Sequence, residues 1–87
     1  MNGRALVGWN VRRLRVALGL TQEALAVDAG LDRSFVGRIE RATENPSVDT
    51  LDKLAAALRV ASAELLREPL EGEARPAPLR SGRKLGK

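Results

Sequence analysis

With 87 residues the chain has room for one small domain; having no cysteine and no histidine, it lacks a disulfide framework, the usual soft metal ligands and the common general base. One tryptophan, one phenylalanine and no tyrosine leave few stacking platforms for single-stranded nucleic acid, and no apolar run approaches the ~18 residues that span a membrane. The net charge of +4 is unevenly spread: Arg4, Arg12, Arg13 and Arg15 precede the first acid, Glu23, and Arg75, Arg80, Arg83, Lys84 and Lys87 follow the last, Glu73, whereas Glu23 to Leu66 holds eight acids against five bases. Basic ends suit an anionic polymer or surface; plain solubility is the competing explanation. Arginines interrupt the opening "MNGRALVGWNVRRLR", so it does not read as a signal peptide, and a cytoplasmic location is expected.

Helical periodicity runs through the first three quarters of the chain. Val7, Val11, Leu14 and Leu18 form one apolar stripe, and Gly19 ends the helix that carries it. Thr21 can cap a second helix by accepting a backbone N–H, with Gln22 and Glu23 in its first turn. That helix runs to about Ala29 and stops at Gly30, which tolerates the left-handed conformation of many helix C-termini. Asp32 can cap a third helix with Val36 and Ile39 inward. "NPS" at Asn45 to Ser47 breaks the chain; Ser47 then caps a fourth helix with Leu51, Leu54, Ala55 and Leu58 on one face, and Asp49 complements its dipole. A short fifth helix is expected over about Ser62 to Arg67, carrying Leu65 and Leu66. No strand alternation stands out. The expected fold is therefore all-α, a bundle of five short helices over residues 1–67. From Glu68 the segment "EPLEGEARPAPLRSGRKLGK" is rich in proline, glycine and charge, and residues 68–87 read as a flexible basic tail.

The second and third helices are joined by Gly30 and Leu31 alone. So short a connection forces a steep, close crossing. Ala26 faces that crossing, Gly30 makes the turn and Val36 fills the space beneath. This is a helix-turn-helix, in which the second helix of the pair lies in the DNA major groove. Its outward side carries Arg33, Ser34, Gly37 and Arg38.

At this point the sequence resembles the lambda-repressor/Cro-type helix-turn-helix family, also called the xenobiotic-response-element type. The resemblance runs from about Val7 to Leu66 and rests on "VGWNVRRLR", "GLTQEALAVDAGL", "RSFVGRIER", "NPSVDTLDKLAAAL" and "AELL" in this spacing. It implies a five-helix bundle that binds double-stranded operator DNA, usually as a homodimer. By the same resemblance Gln22, with Thr21 beside it at the start of the second helix, is expected to contact the phosphate backbone; Arg41 and the loop to Asn45 also lie near the sugar–phosphate backbone, so Thr21, Gln22, Arg41 and Asn45 are the expected phosphate contacts. Arg33, Ser34, Gly37 and Arg38 match base-reading positions. Arginine can give two hydrogen bonds to guanine O6 and N7, and Gly37 leaves room for close approach. Phe35 either touches a thymine methyl or joins the core. Arg33 and Arg38 could otherwise be ordinary solvated charges, Gln22 simply the first helical residue, and Gly37 a tolerated exposed glycine. Arg15 and Glu40 match a partly buried ion pair that fixes the third helix on the bundle.

Some residues depart from the family pattern. Ala42 and Arg59 stand where glycine usually ends the third and fourth helices, and Ala61 replaces the usual serine cap of the fifth, unless Ser62 takes over. Glu44 sits where many relatives carry a base, which weakens the case for that loop as a phosphate contact. Trp9 lies off the stripe and is either a packing residue or part of an interface.

The reading is a sequence-specific double-stranded-DNA-binding transcription regulator, with the recognition helix over about 33–41, working as a dimer on an inverted repeat. The alternatives are an antitoxin, a restriction–modification controller that also binds a partner protein, or an interaction module that has lost DNA binding. No enzyme, metal, cofactor, membrane or small-molecule effector is expected.

Overall fold

Each α-helix starts at a side chain that answers its open backbone amides. In the computed structural model, which describes residues 1–70, α1 spans Gly3–Ala17, α2 Gln22–Ala29, α3 Arg33–Glu40 and α4 Val48–Leu58. Asn2, Thr21, Asp32 and Ser47 accept from the backbone N–H of Ala5, Ala24, Ser34 and Thr50. Each cap removes an orphan donor that would otherwise need water.

The C-termini follow one rule. Past each helix a residue turns left-handed: Gly19, Gly30, Ala42 and Arg59, with φ between 62° and 74°. The following N–H then reaches back five residues, from Leu20 to the Arg15 carbonyl, Leu31 to Ala26, Thr43 to Arg38 and Val60 to Ala55. This double closure satisfies carbonyls left open by the last turn. Two of the four positions are glycine, which adopts the conformation freely; Ala42 and Arg59 adopt it with a Cβ that resists it.

The fifth helical segment departs from expectation. Ser62–Leu66 is a single stretch of 3₁₀ helix, not an α-helix, and Ala61 gives it no side-chain cap. Ser62 does not replace the missing cap, because its hydroxyl donates to Asp52 Oδ1 at 2.6 Å. The segment is held from outside. Leu65 is fully buried, and the buried Asn10 amide donates to the carbonyls of Leu65 and Arg67 at 3.1 and 2.8 Å. The expectation of five α-helices is thus corrected to four plus this turn. A five-residue uncapped segment forms too few i→i−4 bonds to offset its ordering.

The core joins all of these pieces through Val7, Val11, Leu25, Ala26, Val36, Ile39, Leu54, Leu58 and Leu65. No strand occurs among the described residues. Leu18, expected on the inward stripe of α1, is 44% exposed. The helix ends at Ala17, so Leu18 sits in the turn and no longer follows the helical face; Leu6 is buried on α1 instead. No helix among the described residues is long and apolar enough to cross a membrane. The tail expected from Glu68 lies outside the described residues beyond Leu70.

Candidate nucleic-acid interface

The placement of α3 is decided underneath it, on α1. Gly8 is buried where the two helices meet: a Cβ built there would lie 2.7 Å from the Ile39 carbonyl oxygen and 3.0 Å from that of Glu40. Both neighbours are backbone and cannot swing aside. Two turns further along α1, the Arg15 guanidinium grips the Glu40 carboxylate with two bonds, Nε to Oε2 at 2.6 Å and Nη2 to Oε1 at 3.0 Å. Both side chains are almost wholly buried. Arg15 Nη1 also donates to the Leu20 carbonyl at 2.9 Å, tying in the turn before α2. Gln22 completes the set, its Nε2 donating to Glu40 Oε1 at 3.1 Å. One carboxylate therefore joins α1, α2 and α3. A buried charge pair is tolerable when its remaining donors and acceptors are satisfied in this way.

Above this anchor, α3 presents a surface of mixed charge. Arg33 is exposed and makes no hydrogen bond or ion pair among the described residues. Ser34 is exposed, and its hydroxyl donates to the Asp32 carboxylate, which also accepts from the Ser34 backbone. These bonds favour the charged carboxylate and hold Asp32 below the ordinary aspartate range, the Ser34 hydroxyl being the largest cause. With its proton so engaged, Ser34 Oγ can only accept: it takes a long bond from Arg38 Nη1 at 3.5 Å and keeps a second lone pair, which suits a base amino group. Phe35 is half-buried and packs against the core, while the Arg38 guanidinium lies over its ring at 5.6 Å. Arg38 Nε also donates to Glu44 Oε2 at 3.0 Å.

Gly37 differs from expectation. It is buried, and the space above its Cα is filled by Arg41 Nη1, 3.3 Å from where a Cβ would stand, and by Gln22 Oε1 at 3.6 Å. It makes room for two of the chain's own side chains rather than standing open. The exposed Arg41 side chain thereby folds back over α3 toward the start of α2, beside Gln22. Thr21 is half-buried and spends its lone pair on the cap; Asn45 is exposed in the loop before α4. Thus Gln22, Gly37 and Arg41 form one cluster, Arg33, Ser34, Phe35 and Arg38 line the adjoining face, and Asn45 stands apart in the loop. Among the described residues no group of three or more His, Cys, Asp or Glu side chains could hold a metal ion.

The helix-turn-helix family profile matches residues 11–65, spanning all four α-helices in part or whole. The chain belongs to the helix-turn-helix family. Among curated relatives, a hypothetical transcription factor of Neisseria meningitidis is 44% identical over 68 residues, 78% of this chain and 64% of the relative. This chain thus aligns with just under two thirds of that protein's length. Among solved structures, the restriction–modification controller protein C.AhdI from Aeromonas hydrophila is similar with a TM-score of 0.69 and 47% identity, covering 71% of this chain and 94% of its own. The biofilm-formation regulator SinR, solved in complex with DNA, matches with a TM-score of 0.67 and 34% identity over 70% of this chain and 98% of its own.

Gly8 and Asn10, both structural, also leave a signal in the sequence. Gly8 sits inside a helix, where glycine is about 1 kcal/mol worse than alanine, and that penalty marks a close backbone approach. Asn10 lies one residue before a core position and is fully buried; a polar side chain on an otherwise apolar face signals a buried hydrogen-bond hub. Trp9, between them, is half-buried, and its Nε1 has no hydrogen-bond partner among the described residues.

Proposed function

We propose that this helix-turn-helix regulator binds double-stranded DNA sequence-specifically, with α3 in the major groove and the N-terminus of α2 on the phosphate backbone. The observation that carries the reading is the construction of α3. Its inner face is locked by Gly8 and by the Arg15–Glu40–Gln22 network, while its outer face leaves Arg33 without a partner among the described residues. A rigid helix with a free forked donor in its first turn suits major-groove reading. Arg33, Ser34 and Arg38 are the base-reading side chains, and Phe35 borders them toward a thymine methyl. Gly37 contributes by letting Arg41 and Gln22 lie close to α3. Gln22, Arg41, Thr21 and Asn45 provide phosphate contacts, helped by the positive end of the α2 dipole.

One such module reads few base pairs, so the protein works as a homodimer on an inverted repeat whose half-sites lie about 34–36 Å apart, or a multiple of that. The domain works without a small-molecule effector. A second reading, control of a restriction–modification system, is favoured by the likeness to C.AhdI, 94% of whose length this chain matches.

Selection of bound duplexes from a randomised pool at about 0.15 M salt tests the proposal. Enrichment of an inverted repeat is expected. Binding that falls steeply with salt and prefers no sequence would overturn it, because phosphate contacts alone behave in that way.

A further inference from the structure

Glu44 is the feature of this surface that DNA binding does not ask for. It places a carboxylate beside α3, where phosphates would approach. Its contact is specific: Oε2 accepts from Arg38 Nε at 3.0 Å. The loop is built to bring it there. Ala42 takes the left-handed conformation, and Thr43 then donates to the Arg38 carbonyl twice, from its backbone N–H at 3.0 Å and from Oγ1 at 3.1 Å. Glu44 follows directly.

Stability does not account for the pair. The two side chains are 42% and 28% exposed, and pairs of that kind contribute little, on the order of 0–1 kcal/mol. The pair does fix a direction. Arg38 lies over the Phe35 ring, its Nε edge faces Glu44, and its Nη1 reaches Ser34 Oγ only at 3.5 Å. Nη2 makes no hydrogen bond among the described residues. Two carboxylates thus bracket the reading face, Asp32 holding Ser34 and Glu44 holding Arg38. Glu44 occupies Nε, and Nη1 has only the long bond to Ser34, so the Nη1–Nη2 fork, which can bond guanine O6 and N7 together, is the less engaged end of the guanidinium.

We propose that Glu44 is a specificity-determining positioning residue. It orients Arg38 for base reading and lowers the affinity for DNA in general, so that it exchanges binding strength for discrimination. The inference rests on the DNA-reading function proposed above.

The test compares wild type, Glu44→Ala, Glu44→Gln, Arg38→Ala and the Arg38→Ala/Glu44→Ala pair on three kinds of duplex at about 0.15 M salt. These are the wild-type selected site, that site changed one base pair at a time, and an unrelated sequence. Removing the carboxylate should tighten binding to the unrelated duplex a few-fold, by loss of one repulsive charge. Glu44→Ala should at the same time lose roughly tenfold discrimination at one base pair per half-site, the size of one bidentate contact. Glu44→Gln, which keeps an acceptor for Nε, should gain the general affinity and retain most of the discrimination. In the Arg38→Ala background Glu44→Ala should change no base preference.

Tighter binding of all duplexes with discrimination intact would overturn the proposal, leaving Glu44 as simple repulsion. Uniform loss of binding with a lowered melting temperature would also overturn it, making the pair structural. A wild type without any preferred sequence removes the parent reading and this inference together; a discriminating wild type matched by Glu44→Ala removes the inference alone.

Discussion

Glu40 ties α3 to both α1 and α2. Its carboxylate is shared by Arg15 and Gln22, and both members of the charged pair are buried. Glu40→Ala would strand the Arg15 charge, and the expected loss is about 3–5 kcal/mol. Urea unfolding measures it; an unchanged midpoint would contradict the assignment. DNA binding lost in that variant would report lost structure, not a lost contact. Gly8→Ala should be destabilising by about 1–3 kcal/mol despite alanine's better helix propensity, since the new methyl meets two carbonyl oxygens of α3. A melting temperature at or above wild type would show that the helices part easily. Asp32 makes a prediction in pH. Its folded-state pKa is depressed, so its stabilisation is present above the unfolded value of about 3.9 and is lost as pH falls through the lower folded value. Carbon-detected titration of the Asp32 carboxyl should give a midpoint below that of a free aspartate. A midpoint at the ordinary value would mean that Ser34 does not hold it. Of these residues, Asp32 was legible from its place before an apolar-periodic run. Gly8 is a weaker signal, because a lone helical glycine has a mild penalty and no periodic partner.

At the scale of the elements, the four α-helices close with the same left-handed turn, but only two use glycine for it. Ala42→Gly and Arg59→Gly should each stabilise the fold by about 1 kcal/mol, by removing a Cβ from the left-handed region. The gain is net of glycine's larger unfolded-state entropy. Thermal unfolding of each variant and of the pair checks it; a loss in either would show that the side chain does more than tolerate its conformation. Three of the four helix starts, at Thr21, Asp32 and Ser47, were readable, since a short polar side chain before an apolar period has one dominant meaning. The start at Asn2 is not legible, because α1 opens on glycine and arginine, with no periodic apolar residue before Leu6. The fifth element is shorter and less regular than its apolar residues suggest. Leu65 and Leu66 suggested a helix, but only Leu65 is buried; the segment is pinned by Asn10, 55 residues away in sequence. A contact across that distance leaves no local pattern.

For the molecule as a whole, the arrangement separates what holds α3 from what α3 offers. The holding side uses burial, a close glycine contact and a satisfied charge network. The offering side uses Arg33, exposed and without a partner among the described residues, and Arg38, half-buried and held by Glu44. Motif spacing made this division legible, because Gly30, Ala26 and Val36 sit at the crossing of two helices and leave Arg33 and Arg38 outward. The packing of Arg41 and Gln22 over Gly37 was not legible, since it depends on where two long side chains fold back in space. In the proposed function α3 reads bases through its outward face, led by Arg33. Base-preference profiles of wild type and Arg33→Ala, selected from the same randomised pool and accompanied by melting curves, test it most directly. Arg33 has no partner among the described residues, so the substitution should leave the melting temperature unchanged. It should relax discrimination by roughly 1–3 kcal/mol at a single position in each half-site, with the other positions kept. A profile identical to wild type, or a uniform weakening on all sequences, would contradict the claim and place Arg33 on the phosphate backbone or in solvent.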